Sequence, residues 1–206
     1  MNMRKVIFWN VNTQLDYFEG NFKINGSESI RPKLRALTEF ANSKKIKVVN
    51  VVSWNDPKSK WFSETPDNST TFPPHCIMNT NGTNFIPETL VNADYFLVKW
   101  DAPYIVFPEI HKHRNLIIFK NAMNMIEGNK FADSVLNNLG TVLMDRPSYV
   151  VYGIGAGQVA KDLTRRGYSV KLVTDATVEF TGLPINYEEI GVEQITTETL
   201  FSTELV

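Results

Sequence analysis

The sequence predicts an α/β protein in which helices cover both faces of a mostly parallel β-sheet. Several short, continuous apolar runs are typical of parallel strands, which are buried on both faces. Segments with a helical apolar period separate these runs, and repeated strand–helix units place the strands parallel through right-handed crossovers. The length of 206 residues predicts a single domain over residues 1–206.

Composition argues against several classes of protein. Apolar residues make up 43% and charged residues 21% of the chain, as in globular domains. The formal net charge of -1, without a long basic cluster, argues against a nucleic-acid partner. No apolar run reaches about 18 residues and no signal-peptide core is evident, so we expect no membrane association. One cysteine, Cys76, fits a reducing compartment, and we expect a cytoplasmic location.

The chain begins with a β-α-β pattern. Residues 5–10 form the first predicted strand, and residues 47–53 form the second. Between them, apolar residues from Ser29 onward fall on one helical face. Ser29 or Ser27 is the expected N-cap, and Pro32 falls in the expected first turn. This segment is therefore predicted to be an amphipathic crossover helix.

The rest of the chain continues the alternation after a long irregular section, residues 54–94. Loops of this length tend to be functional. The later predicted elements are a strand at 115–120, a helix at 131–139, a strand at 148–154, a helix at 159–166, a strand at 169–176 and a last strand at 192–196.

A glycine-rich turn follows the strand that ends at Ile154. In α/β proteins, ligands lie where a strand ends and the next helix begins, because free backbone N–H groups and the helix dipole point there. The Gly153–Gly157 turn, with Asp175 about 20 residues further on, is similar to a dinucleotide-binding motif. Gln158 stands where a small residue is usual, and the motif lies late in the chain. Nucleotide binding therefore stays an alternative.

Polar residues follow two predicted strands. Asn12, Gln14 and Asp16 come after the first strand, where turn capping is the commoner explanation, and Lys120 ends another. His75 and Cys76 are adjacent on a proline-stiffened segment, but a structural zinc site needs four ligands. The pair is weak evidence for a metal.

These segments carry a resemblance. Asn12-Thr13-Gln14-Leu15-Asp16-Tyr17 resembles the Asp-Thr-Gln-x-Asp-Phe opening of the isochorismatase-like cysteine hydrolases, a superfamily that includes the nicotinamidases. Phe72-Pro73-Pro74-His75-Cys76, followed by Asn79-Thr80-Asn81-Gly82, is similar to its Pro-x-His-Cys-x-x-Gly-Thr-x-Gly segment. Lys120 matches the family's lysine. The resemblance covers roughly residues 5–180 and implies a parallel sheet of about six strands between two helical layers, in homodimers or homotetramers.

The resemblance also implies a mechanism, from which this chain departs. In the family, a cysteine at a helix start attacks an amide or related carbon, an aspartate acts as base and a lysine supports both. Asn12 stands at the position of the aspartate, and its neutral amide cannot take the proton. Around Gly155, where the nucleophile is expected, residues 154–158 contain no Cys, Ser or Thr. Cys76 matches a cysteine that is not the nucleophile.

The resemblance implies no complete metal site either. The nicotinamidase motif Asp-x-His corresponds to Ser53-Trp54-Asn55, so His75 alone remains of three protein ligands. We expect no metal and no cofactor.

We therefore predict a hydrolase fold without the family reaction. The pocket could still bind a small planar or anionic ligand, and an active hydrolase that uses Cys76 or a bound water stays a further alternative. The candidate ligand contacts are Asn12, Gln14, Asn55, His75, Lys120, Ala156 and Gly157.

Overall fold

Seven strands form one parallel sheet in the computed structural model, which describes residues 6–92, 94–105, 107–141, 147–180 and 185–203. The strands are Val6–Val11 (β1), Lys47–Ser53 (β2), Tyr95–Val98 (β3), Asn115–Lys120 (β4), Ser148–Ile154 (β5), Ser169–Val178 (β6) and Glu193–Ile195 (β7). Their order across the sheet is β3-β4-β2-β1-β5-β6-β7, and every neighbouring pair is parallel.

Helices cover both faces of this sheet. They are Leu15–Phe18 (α1), Ser27–Ser43 (α2), Phe107–Lys112 (α3), Met125–Gly128 (α4), Ala132–Thr141 (α5), Ala156–Arg165 (α6) and Thr197–Thr203 (α7). Two short 3₁₀ turns, Asn81–Thr83 and Pro87–Thr89, lie in the long irregular section. No helix in the described ranges is long and apolar enough to cross a membrane.

The alternation of side chains along the strands divides the core into two layers. On β1, Ile7 and Trp9 belong to one core with α3, α5 and α6, whereas Phe8 belongs to the other with α1, α2 and α7. All three side chains are almost completely buried. Because successive strand residues point to opposite faces, a continuous apolar run fills both layers. The predicted three-layer α/β/α architecture is confirmed.

Some boundaries differ from the prediction. The sheet has seven strands instead of about six, because Tyr95–Val98 adds an edge strand directly after the irregular section. This strand has four residues, and Tyr95 is exposed, so its apolar signal is short. At the other end of the sheet, β7 lies at Glu193–Ile195, within the predicted last strand.

Two helix starts also differ. The N-cap of α2 is Gly26 instead of Ser27 or Ser29, because the Ser29 hydroxyl donates to the Gly26 carbonyl oxygen and Ser27 is buried. Pro32 consequently lies inside the helix. The helix after the glycine turn begins at Ala156, three residues before the predicted start.

The edge of the sheet depends on one buried amide, Asn129. Its Nδ2 donates to the carbonyl oxygens of Val98 (2.9 Å) and Phe119 (2.8 Å), and its Oδ1 accepts from the Phe131 N–H (2.9 Å). These bonds connect the ends of β3 and β4 to the segment that enters α5. Asn129→Ala leaves the partners without these bonds in a buried setting, so we expect a loss of roughly 2–4 kcal/mol in the free energy of unfolding in urea.

Asn138→Ala is the matched control, since Asn138 lies on the exposed side of α5 and donates to a single carbonyl, that of Ser134. We expect it to change the free energy of unfolding by less than about 0.5 kcal/mol. Equal effects of the two substitutions would contradict the role of Asn129.

Candidate functional site

The carboxyl ends of the four central strands bring together the residues that the sequence singled out. Asn12 follows β1, Ser53 ends β2, Lys120 ends β4 and Gly155 follows β5. Ser53 and Lys120 are direct partners in the β2–β4 register. The structure thus brings the candidate residues Asn12, Lys120 and Gly155 together at one edge of the sheet, with Ser53 among them.

The Ser53 hydroxyl joins three polar side chains. Lys120 Nζ donates to its Oγ at 3.0 Å, and the Tyr17 hydroxyl lies 2.8 Å from the same atom. Ser53 Oγ in turn donates to Asn12 Oδ1 at 3.3 Å. Lys120 Nζ can only donate and Asn12 Oδ1 can only accept, so the single Ser53 hydroxyl proton points to Asn12. Tyr17 must then be the donor in its bond to Ser53 Oγ. The chain of bonds runs from donors to a neutral amide.

Asn12 is held at both ends of its amide. Its Nδ2 donates to the carbonyl oxygen of Ile154 at 2.9 Å, and its Oδ1 accepts from Ser53. Its backbone φ of 51° lies in the left-handed region, where Asn is tolerated better than most residues. Asn12 therefore connects the ends of β1, β2 and β5 and offers no basic atom.

Lys120 is an almost completely buried cation. Besides Ser53, its Nζ donates to the carbonyl oxygen of Ala122 at 3.1 Å. Burial lowers the pKa of its ammonium group to about 8. The amine is thus still mainly protonated at pH 7.

Gln14 and Asp16 bond to the protein's own backbone. Gln14 exchanges two bonds with the Ser53 backbone, since Nε2 donates to the carbonyl oxygen at 2.8 Å and Oε1 accepts from the N–H at 2.7 Å. Its Nε2 also donates to the Thr83 carbonyl oxygen at 3.0 Å. Asp16 Oδ2 accepts from the Cys76 N–H at 2.6 Å. Both side chains fasten the long irregular section to the strand ends.

Aromatic side chains fill the space in front of Lys120. Phe22 stacks on Phe180 with ring centroids 5.9 Å apart, and the His75 ring lies 4.7 Å from that of Phe22. The Tyr17 and Phe62 rings are each 5.4 Å from that of His75. The cavity that remains among these rings measures about 30 Å³. This is enough for one or two waters and too little for an aromatic amide.

Phe180 lies directly over Gly155. A Cβ built on Gly155 would be 2.3 Å from Phe180 Cε2, far inside van der Waals contact. Gly155 also has a φ of 65°, in the left-handed region. The ring therefore occupies the position where a side chain at Gly155 would begin.

The His75–Cys76 segment is packed and has no open position. His75 Nδ1 lies 2.8 Å from the Pro73 carbonyl oxygen, and Asn55 Nδ2 donates to the His75 carbonyl oxygen at 3.0 Å. Burial lowers the pKa of His75 to about 4 and raises that of the Cys76 thiol well above its usual range. No cluster of three or more His, Cys, Asp or Glu residues that could hold a metal occurs in the described part of the chain.

The start of α6 is occupied by a carboxylate of the protein itself. The Gly157 N–H donates to Glu179 Oε1 at 2.8 Å, and the Tyr187 hydroxyl donates to the same oxygen at 2.7 Å. Asp175 binds Thr197 and Lys33, which lie on the opposite face of the sheet from α6. The glycine turn and Asp175, which the nucleotide interpretation requires at one site, therefore do not lie together.

Comparison with known proteins bears on the fold. Neither a family model nor a curated protein sequence matches this chain. N-carbamoylsarcosine amidase from Thermoplasma acidophilum has a similar structure, with a TM-score of 0.66 and 15% identity over 94% of this chain and 97% of that one. Pyrazinamidase of Pyrococcus horikoshii in complex with zinc is similar with a TM-score of 0.65 and 19% identity, over 93% of this chain and 99% of that one. An isochorismatase-like hydrolase from Alkaliphilus metalliredigens is similar with a TM-score of 0.66 and 16% identity, over 96% of this chain and 97% of that one. The chain has the isochorismatase-like hydrolase fold.

At these identities, the similarity establishes the isochorismatase-like fold, as the sequence predicted, and the activity has to be argued from the site.

The sequence did not reveal three features of this site: the Phe180 ring, the Glu179 carboxylate and the central role of Ser53. Phe180 and Glu179 follow β6 and reach Gly155 and Gly157 only through the tertiary fold. The position of Ser53 at the end of an apolar strand was the one signal in the sequence that could have indicated its role.

The buried His75 predicts a steep loss of stability in acid. The native ring takes a proton near pH 4, whereas the unfolded chain takes it near 6.5, so the unfolded state binds more protons between these values. The free energy of unfolding should therefore fall by about 3 kcal/mol more from pH 7 to pH 4 in the wild type than in His75→Phe, measured by urea unfolding.

His113→Gln serves as the control because His113 lies outside the aromatic cluster and pairs with Asp94. It leaves His75 in place, so its free energy of unfolding should fall between pH 7 and pH 4 as much as that of the wild type. If the free energy of unfolding of His75→Phe fell by the same amount as that of the wild type, the native His75 ring would take up protons as readily as the unfolded chain, and the prediction would be wrong.

Proposed function

We propose that this protein is a non-catalytic form of the isochorismatase-like hydrolase fold that acts by binding and not by hydrolysis. The observation that carries the proposal is the Phe180 ring over Gly155, at the position expected for the nucleophile. A side chain at Gly155 and the ring in its present place exclude each other.

The chemistry of the polar groups supports the same conclusion. A thiol or hydroxyl nucleophile needs a neighbouring base, and the Asn12 amide cannot accept the proton. Residues 154–158 contain no hydroxyl or thiol side chain. Loss of either member of a nucleophile–base pair typically removes most of the rate enhancement, and here both positions have changed.

Lys120 has a structural reason to persist without a reaction. Its ammonium group donates to Ser53 and Ala122 at the meeting point of β2 and β4, and Ser53 passes the connection to Asn12. A buried ammonium group costs much less free energy when it is hydrogen-bonded. Replacement of Lys120 would remove the donor to the Ala122 carbonyl oxygen and one of the hydrogen bonds to Ser53 Oγ.

The alternative of an active hydrolase has less support. The Cys76 thiol is completely buried, it donates to the Gly82 carbonyl oxygen at 3.8 Å, and its raised pKa keeps it protonated at neutral pH. A small planar ligand at this site would have to displace the rings around the 30 Å³ cavity. The homodimer or homotetramer and the cytoplasmic location stay predictions.

Ammonia release tests the proposal. The folded protein is incubated with nicotinamide, pyrazinamide and N-carbamoylsarcosine, and we expect no release above a protein-free blank. An active nicotinamidase of this fold is the positive control, and cooperative urea unfolding verifies that the test protein is native.

Two lysine variants make a positive result interpretable. Lys120→Ala removes the buried amine of the site, whereas Lys112→Ala removes an exposed lysine of α3. Turnover that is proportional to protein concentration, lost in Lys120→Ala and kept in Lys112→Ala would overturn the non-catalytic assignment.

A further inference from the structure

Two Asn-Gly pairs occur in the chain, Asn25-Gly26 directly before α2 and Asn81-Gly82 in the first 3₁₀ turn. Asparagine is a thermolabile residue, and it reacts most readily before glycine, because no side chain hinders the approach of the glycine nitrogen to the asparagine Cγ. In both pairs a residue with a hydroxyl group follows the glycine. A difference in reactivity between the two pairs therefore has to come from the fold.

The Asn25-Gly26 pair is exposed and unhindered. Both residues are exposed, and neither the Asn25 side chain nor the Gly26 N–H has a hydrogen-bond partner among the described residues. A Cβ built on Gly26 would meet only the methyl groups of Val178, at 3.9 Å or more. The space beside the Gly26 nitrogen is therefore open.

The electrostatic surroundings of Gly26 also favour a reaction at its nitrogen. Gly26 is the N-cap of α2, so its N–H lies at the positive end of the helix dipole, which favours loss of the amide proton. The carboxylate of Glu28, in the first turn of α2, is already paired with two cations.

The Asn81-Gly82 pair is constrained on both sides. Asn81 Oδ1 accepts from Asn84 Nδ2 at 2.8 Å, so this bond has to break before the Asn81 amide can turn to the glycine nitrogen. A Cβ built on Gly82 would overlap the carboxylate of Asp16. A carboxylate this close disfavours a second negative charge and thus opposes loss of the Gly82 amide proton. The fold therefore restrains the second pair and leaves the first one reactive.

We propose that Asn25 is a site of spontaneous deamidation in the folded protein and that Asn81 is protected from the same reaction. The Gly26 nitrogen loses its proton to the solvent and forms a bond to Asn25 Cγ. The bond from Cγ to Nδ2 breaks, and Nδ2 leaves as ammonia. Water then opens the resulting cyclic imide. Attack of the water on Cγ gives an aspartyl residue, and attack on the main-chain carbonyl carbon gives an isoaspartyl residue.

The two products affect the entry into α2 differently. An aspartyl residue places a negative charge beside the helix N-terminus, where the dipole stabilises it. An isoaspartyl residue adds one carbon to the main chain between Ile24 and Ser27, whose carbonyl oxygen and N–H are hydrogen-bonded at 3.0 Å. The Ile24 N–H also donates to the Tyr17 carbonyl oxygen at 2.9 Å. We therefore expect the isoaspartyl form to unfold at a lower urea concentration than the aspartyl form.

Timed incubation of the native, full-length protein in mildly alkaline buffer, followed by peptide mapping with mass spectrometry, tests the proposal. Asn25 should convert at least about tenfold faster than Asn81, because the bond to Asn84 and the Asp16 carboxylate both slow the reaction of Asn81. In urea the two pairs should react at similar rates, since the fold no longer distinguishes them.

The ammonia that this reaction releases is limited to one molecule per asparagine and requires no added amide. It is therefore distinguishable from turnover, and the proposed deamidation can fail while the proposed lack of catalysis stands, or the reverse.

Asn25→Gln is the diagnostic variant, because glutamine would have to close a larger ring, which forms much more slowly. It should abolish the fast reaction, and it should fold normally because the Asn25 side chain is exposed and makes no hydrogen bond to the described residues. Asn81→Gln is the matched control and should keep the fast reaction. The proposal is overturned by an absence of conversion at Asn25, by equal rates at Asn25 and Asn81 in the native protein, or by the same ratio of rates in native and urea-unfolded protein.

Discussion

The contact between the Phe180 ring and the backbone of Gly155 constrains the whole carboxyl edge of the sheet. The ring covers the first residue of the β5–α6 turn, and stacking on Phe22 connects it to the His75 cluster. These rings reduce the open space in front of Lys120 to about 30 Å³. The low pKa of His75 and the lowered pKa of Lys120 both follow from the exclusion of water there.

The polar groups beneath the rings form a structural network. Asn12, Ser53 and Lys120 connect the ends of β1, β2 and β4, and Asn12 reaches β5 through the Ile154 carbonyl oxygen. Each bond is between an end of one strand and its neighbour, at the edge where the ladder hydrogen bonds stop. A satisfied buried network of this kind rigidifies a core.

The sequence predicted the central sheet well because parallel strands carry continuous apolar runs. The strands Lys47–Ser53, Asn115–Lys120 and Ser148–Ile154 have the predicted bounds. Asn12, Lys120 and Gly155 lie at strand ends, as their positions after apolar runs predict, and their role in a site stays a prediction. The edge strand Tyr95–Val98 was missed because a short, half-exposed strand has little periodic signal.

Long-range placement was beyond sequence reasoning. Phe180 follows β6, where the β5–β6 register shifts between Val151 and Gly153, and no local pattern predicts that its ring crosses to Gly155. The Glu179 carboxylate reaches Gly157 for the same reason. The hydrogen bond from Asn10 Nδ2 to Asn50 Oδ1 at 2.9 Å likewise depends on the β1–β2 register. Such contacts depend on the register between neighbouring strands. The amino-acid composition of a single strand does not determine that register.

A double-mutant cycle between Gly155 and Phe180 tests the central claim most directly. Gly155→Ala should cost roughly 3 kcal/mol of unfolding free energy in the wild type, from the left-handed backbone and the overlap with the ring. In a Phe180→Ala background it should cost only about 1 kcal/mol, a coupling of about 2 kcal/mol. Gly191→Ala, also at positive φ but with its nearest neighbour 4.0 Å away, should cost the same in both backgrounds. An equal cost of Gly155→Ala with and without the Phe180 ring would contradict the account.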